Sequence, residues 1–384
     1  MQKRLPSFMG LYAFSYMAIG IMMPLIGQYL RSVGFSGTQI GTVTATGTVV
    51  AIFSSALWGR IYSGHSRHIL IVMFLCITAA AAACLIRDIY VYAVFIAAYG
   101  ALYFFQAPVM ALSDAMTIED EKPFGFARMW GAVGFAAGVF FGAGAAEAAG
   151  LDIIFFMYAC SFMIAAAFIF SIYISKKRDR SDIPAARKKK AAAGGYLELL
   201  RNRKLTMLLL SAFFLCGTNV ANNTYFSFLY IDGGGTLAGV GAAFLLMAGS
   251  EAPFMAWTDA LSRKFTMEKL ILMSMILSVI RFAWYGTGPC AGLLLVFFFL
   301  QGMVNGVILV EFVRYVSKLV DPCHRGMAIS VYYAFSSSCS TILCQFAGGI
   351  VLDSFGPSGV YLFFSLYNLA GVMLYIVFGL YRHE

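Results

Sequence analysis

SKKRDRSDIPAARKKKAAAGGYLELLRNRK, residues 175–204, holds eleven lysines and arginines: Lys176, Lys177, Arg178, Arg180, Arg187, Lys188, Lys189, Lys190, Arg201, Arg203 and Lys204. Long apolar segments stand on either side, with 174 residues before it and 180 after. Short loops rich in Lys and Arg stay on the cytoplasmic side of a membrane. A linker this basic near the middle of an apolar chain therefore marks two halves that each begin and end inside. A basic run can also be a nucleic-acid patch or a localisation signal. Here the flanking segments are too apolar to stand in water, so no nucleic-acid partner is expected.

The composition agrees. Of 384 residues 61% are hydrophobic and 12% are charged, and the mean hydropathy is +0.81. A soluble domain is about 45–50% apolar and about 25% charged. The chain reads as an all-α polytopic membrane protein, and its net charge of +9 reads as orientation charge in cytoplasmic loops. Glycine (38) and phenylalanine (36) are abundant, as expected where helices pack closely in lipid. The eight cysteines lie scattered, mostly inside apolar runs, with no metal-ligand spacing; they read as small apolar residues. The first apolar run is too long for a signal peptide and lacks a small-residue cleavage site, so it is expected to remain as a span.

A crossing helix needs about 20 mostly apolar residues. That window predicts twelve spans: 8–30, 39–59, 68–86, 90–113, 127–147 and 152–174 in the first half (1–174), then 205–231, 237–258, 268–286, 291–316, 326–349 and 358–381 in the second (205–384). With both termini inside, 24 of the 27 Lys and Arg residues fall on the cytoplasmic side, leaving Arg31, Arg87 and Arg281. The reverse orientation would invert that bias. The halves also read as repeats. Trp58-Gly59-Arg60-Ile61-Tyr62-Ser63 closes span 2, and Trp257-Thr258-Asp259-Ala260-Leu261-Ser262 closes span 8, 199 residues later. Parallel six-helix repeats are a transporter architecture, with the solute site between them.

Two six-helix halves around a basic central loop resemble the major facilitator superfamily. Its signature after span 2 is a Gly, three residues, an Asp and a basic run. The sequence here is Gly59-Arg60-Ile61-Tyr62-Ser63-Gly64-His65-Ser66-Arg67-His68. Gly59 and Arg67 match as a gating loop, and Ser63 stands in place of the Asp. Phe124-Gly125-Phe126-Ala127-Arg128-Met129-Trp130-Gly131-Ala132-Val133-Gly134-Phe135 is similar to the start of span 5 in the lactose permease and phenylpropionate permease branch. Pro108, Gly249-Ser250-Glu251-Ala252-Pro253 and Ser278-Val279-Ile280-Arg281 are similar to that branch as well. The resemblance implies that the acid at Glu251 contacts substrate and takes part in proton coupling. It also implies that an acid in span 4 pairs with the span 5 Arg. Arg128 matches that Arg; Asp114 does not fall at the acid's place, which lies closer to Ala111.

Charges inside spans are costly and therefore functional candidates. Glu251 sits about fourteen residues into span 8, against the possibility that it only fixes packing near Pro253. Arg281 lies some thirteen residues into span 9, too deep to snorkel, and needs a carboxylate or a bound anion. Glu311 or Glu251 is the expected partner. Glu311 and Arg314 share a helix face, and Arg314 is near enough to the helix end to snorkel. Asn219, Asn222 and Asn223, with Tyr225, can line a cavity or join helices. Gln301, Asn305 and Gln345 carry the same two readings, and Gln28 and Tyr16 weaker ones. Glu119, Asp120 and Glu121 read as a solvated turn, and His65, His68, His324 and His383 as histidines in or next to loops or at the terminus. No P-loop, catalytic set or metal set is present, so no cofactor is expected and the chain is not expected to be an enzyme.

The expectation is a monomeric secondary active transporter of the cytoplasmic membrane. It moves an aromatic acid, a sugar or oligosaccharide, or a nucleoside by alternating access. Proton symport is expected, with Glu251, Glu311 and Arg281 in the coupling and Arg128, Asn219, Asn222, Asn223, Asp114 and Glu251 at the substrate. A drug-efflux proton antiporter is the alternative, and a non-transporting receptor or scaffold on the same fold a more distant one.

Overall fold

The computed structural model describes residues 4–64, 68–120, 124–178, 201–321 and 324–382. Arg67 and most of the basic linker lie outside the described residues. By its contacts the chain forms two units, residues 1–35 with 46–189, and residues 36–45 with 190–384.

The first unit begins with α1 (Leu5–Met22) and α2 (Ile26–Ser32). The break between them falls at Pro24, whose ring cannot continue a helical hydrogen-bond ladder. Then come α3 (Gly37–Gly64), α4 (His68–Ile86), α5 (Tyr92–Glu119), α6 (Phe124–Ala149) and α7 (Ile153–Arg178). α1 packs along α6 and α7. The α1–α6 contact is backbone-close. A Cβ on Gly134 would fall on the Ala13 carbonyl, one on Gly138 on the Met17 carbonyl, and one on Gly20 on the Phe135 carbonyl. With little hydrophobic drive between helices in lipid, such small-residue faces supply the packing.

The second unit contains α8 (Arg203–Asp232), α9 (Leu237–Phe265), α10 (Met267–Tyr285), α11 (Ala291–Phe297), α12 (Phe299–Lys318), α13 (Arg325–Val331), a π-helix (Tyr332–Cys339) and α14 (Ser340–Val377). Asn202 caps α8 by accepting from the Leu205 N–H, and Thr236 caps α9 by accepting from the Gly239 N–H. α14 is broken at Gly356, where φ is 68° and Pro357 follows. Only glycine adopts that angle without strain, and proline then restarts the helix. The π-helix is held to α8 by Ser336 Oγ on the Leu209 carbonyl, 2.7 Å, and Ser340 Oγ on that of Phe213.

The first turns of α3 group with the second unit. The Asp353 carboxylate accepts from the Gly37 N–H (2.5 Å) and from both the N–H and the hydroxyl of Thr38 (2.7 Å each). Thr44 Oγ1 donates to Gln345 Oε1.

Ten helices among the described residues are long and apolar enough to cross a bilayer, counting the 325–377 stretch as one. The sequence places two spans in that stretch, separated by the Gly356 break. It places a further span over α10, whose Glu268, Lys269 and Arg281 make it too charged to pass as a plain apolar helix. The solvated turn expected at 119–121 is corrected in part: Glu119 is exposed and Asp120 stands in a turn, yet both are paired. Glu119 accepts from the Tyr62 hydroxyl (2.9 Å) and pairs with His68 (3.4 Å). Asp120 is nearly buried between Arg4 (2.8 Å) and Lys176 (3.4 Å). The end of α5 is thus an ionic junction with α1, α3, α4 and α7, and His68 opens α4, next to the expected loop. Glu121 lies outside the described residues.

Candidate functional site

In the second unit, α8, α10 and the part of α14 after the break bring one polar cluster together. α8 carries Thr218, Asn219 and Asn222 at helical spacing, so they share a face. α10 carries Ser278, Arg281 and Tyr285, and α14 carries Tyr361 and Asn368. Thr218 Oγ1 donates to Asn368 Oδ1 (2.7 Å), whose amide donates to Ser278 Oγ (2.9 Å). The Tyr361 hydroxyl donates to Asn222 Oδ1, 2.8 Å. Arg281 is 2% exposed. Its Nη2 donates to Asn219 Oδ1 at 3.2 Å, and its guanidinium lies 4.3 Å from the Phe282 ring centre and 5.8 Å from that of Tyr285. Arg281 Nε and Nη1, Asn222 Nδ2 and the Tyr285 hydroxyl are buried with no protein partner among the described residues. All four can donate a hydrogen bond.

The expected pairing of Arg281 with an acid is corrected. Arg281 lies fourteen residues from the start of α10, about 21 Å along the helix. Glu311 lies seven residues from the end of α12, about 10 Å, and the Lys318–Glu268 bond brings those two helix ends together. The two charges sit at different depths. Glu311 is fully buried; its Oε1 accepts from Ser262 Oγ (2.6 Å) and from Arg314 Nη1 (3.2 Å), and its Oε2 has no partner among the described residues. Glu251 shares the depth of Arg281 on α9 but lies beside Asn305. Asn305 Oδ1 accepts from Gln301 Nε2 at 3.3 Å, so two amides of α12 stand next to the acid.

The other amides fall partly outside these groups. Asn223 is half-buried and its Oδ1 is unpartnered. Tyr225 does not face a cavity with the asparagines; its hydroxyl donates to the Gln345 carbonyl at 2.5 Å.

In the first unit, Arg128 at the start of α6 forms an ion pair with Asp114 on α5. The Tyr12 hydroxyl of α1 donates to the other Asp114 oxygen (2.8 Å) and lies 3.2 Å from Thr117 Oγ1. The acid paired with Arg128 is thus Asp114, about one helical turn beyond Ala111. Gly131 lets α6 pass against the Tyr16 ring, which lies 6.4 Å from that of Tyr12. Gly59 is half-buried within α3, and a Cβ added there would meet open space.

Sequence reasoning missed Tyr12, Thr117, Thr218, Ser278, Tyr285, Tyr361 and Asn368. The chain has 21 tyrosines, and a Tyr, Thr or Ser in an apolar helix is too common to stand out.

The MFS_1 like family model matches residues 5–363. The chain belongs to that family. It is 28% identical to the maltose permease of Geobacillus stearothermophilus over 371 residues, 95% of this chain and 92% of that one. It is equally similar to the uncharacterized transporter YwbF of Bacillus subtilis (strain 168), over 94% of this chain and 90% of the other. Among solved structures, the nucleoside transporter NupG superposes with TM-score 0.79 at 16% identity, covering both chains in full. A bacterial homologue of the human lysosomal transporter Spinster gives 0.71 at 13%, covering 98% and 95%. The family member described here is a multi-pass membrane transporter of small solutes on the major facilitator fold, not an enzyme.

Proposed function

We propose that this transporter carries a hydroxyl-rich solute, an oligosaccharide or a nucleoside, into the cell together with a proton. The observation that carries the reading is the buried Arg281 guanidinium with two unpartnered nitrogens beside Asn222 Nδ2 and the Tyr285 hydroxyl. A buried charge without an acid partner is unfavourable unless something else meets its donors. A solute rich in oxygen acceptors does so, and the Phe282, Tyr285 and Tyr361 rings suit a sugar or base face. The maltose permease and the nucleoside transporter NupG are by name sugar and nucleoside carriers, which accords with this class.

In this reading Glu251 exchanges the proton, because its neighbour Asn305 is a neutral amide that tolerates either protonation state. Glu311, with one oxygen unpartnered among the described residues, is the second acid. Asn219 and Asn222 orient the solute, Asn223 contributes its free carbonyl, and Arg128 with Asp114 forms the recognition pair of the first unit. The two six-helix halves, joined by the basic linker, act as a monomer in the cytoplasmic membrane with both termini inside, and Gly59 and Arg67 belong to the gating loop.

Uptake of labelled maltose and uridine into proteoliposomes under an inward proton gradient tests this. One of the two is expected to accumulate. Arg281→Gln is expected to lower its uptake at least about tenfold, as loss of one hydrogen bond to a charged group does. Glu251→Gln is expected to abolish accumulation and leave solute exchange intact. Proton-driven efflux instead of uptake, or wild-type accumulation by both variants, would sink the proposal.

A further inference from the structure

The last turns of α12 and the first residue of α13 border an open groove of about 370 Å³ lined by Val313, Arg314, Ser317, Lys318 and Arg325. Three cations converge on it. Arg314 and Lys318 are four residues apart, a like-charge spacing that disfavours a helix on its own. Each is held from beneath by an acid: Arg314 by Glu311 at 3.2 Å and Lys318 by Glu268 at 2.8 Å. The two carboxylates are almost wholly buried, and the two cations are exposed. The acids therefore lie inside and the cationic ends outside. Arg325 crosses from α13, with Nε donating to the Ser317 carbonyl at 3.1 Å. That bond fixes a third exposed cation at the mouth and leaves the guanidinium face open to a planar pair of acceptor oxygens.

The same face of α12 continues as an apolar strip. Leu309, one turn before Val313, is exposed, and Tyr333 of the π-helix is exposed too. The strip runs into the apolar span, and the cations stand at its end. Phosphate suits a guanidinium fork beside an ammonium, and it is the anion that a lipid brings to the end of an apolar strip. We propose that this groove binds the phosphate of an anionic phospholipid, with the acyl chains along the Leu309 and Val313 strip. Basic pockets between membrane helices recognise lipid headgroups in this way. The proposal stands apart from the solute site and holds whether or not Arg281 binds solute.

The test is native mass spectrometry of the detergent-purified protein, titrated with dioleoyl phosphatidylglycerol, dioleoyl phosphatidylcholine or inorganic phosphate. The wild type is expected to retain phosphatidylglycerol in preference to phosphatidylcholine. A basic residue at a membrane surface contributes about a fivefold factor in affinity for anionic lipid. Arg325→Glu is expected to lose at least that factor, while Arg325→Lys and the surface control Arg60→Glu keep most of it. Among the described residues Arg325 makes only a backbone bond, so its variants are expected to fold, which a thermal melt checks. Equal retention of both lipids, or the same loss in Arg60→Glu, would overturn the proposal. So would inorganic phosphate that binds alone and displaces phosphatidylglycerol, because it assigns the groove to a free phosphate.

Discussion

The Arg281 guanidinium donates to Asn219 and buries Nε and Nη1 where nothing in the described protein accepts from them. Taking an ion out of water costs several kcal/mol even after relaxation, and here no acid offsets it. Replacement by an apolar side chain of similar length removes that cost. Arg281→Met is therefore expected to melt at or above the wild-type temperature in detergent, by up to about 1–4 kcal/mol, while solute uptake falls to background. A melt well below wild type would make Arg281 a structural residue. The charge itself was legible, since an arginine thirteen residues into an apolar run has few structural uses. Its partner was not, because sequence gives a charge's position along its own helix and not the depth at which a neighbouring helix brings up an acid. Glu311 looked available and lies about 10 Å away in depth. Tyr361 and Asn368, which complete the cluster, are ordinary residues of an apolar helix until the fold brings them to α8.

At the scale of helices, the tightest packing is α1 on α6. Gly134 and Gly138 are one turn apart and lie on the Ala13 and Met17 carbonyls, so a side chain at either has to push backbone, not a flexible neighbour. Gly134→Val is expected to cost about 1–3 kcal/mol, the usual range for overpacking a close contact. Gly144→Val, at a glycine with open space around it, is expected to fold like wild type. Thermal melts and folded yield in detergent compare the two, and equal behaviour would count against the packing argument. Helix existence was easy to read, because apolar length alone decides it. Helix pairing was not, since the glycine stripe at 131, 134, 138 and 142 lay unnoticed in the segment whose resemblance drew attention to Arg128. The ionic junction at the end of α5 was misread for the opposite reason. Consecutive acids at a helix end usually face water, and here Arg4, Tyr62, His68 and Lys176 arrive from four other helices.

For the molecule as a whole, the distribution of positive charge predicts orientation. With 24 of 27 basic residues on one side, the linker is expected inside the cell. A Ser181→Cys probe, on a background with the eight native cysteines replaced, is expected to resist a membrane-impermeant maleimide in intact cells and to react once the membrane is opened. Labelling in intact cells would invert the topology. Membrane class, family and helical character were all legible, because hydropathy and charge bias act over tens of residues and average out local exceptions. The grouping of residues 36–45 with the second unit was not. It depends on Asp353 reaching the first turn of α3 from more than three hundred residues away, and no pattern in either segment announces it.

The π-helix at Tyr332–Cys339 holds one more residue than an α-helix needs for the same rise. A strand of rope with slack in it can store that slack at more than one place. Here two serines, Ser336 and Ser340, tie it to the Leu209 and Phe213 carbonyls, at one address. Were the slack to shift by one position, every side chain between the old address and the new would swing by about 100° around the axis. Residues 332–339 are thus a place where this helix can change which faces it presents without changing its length.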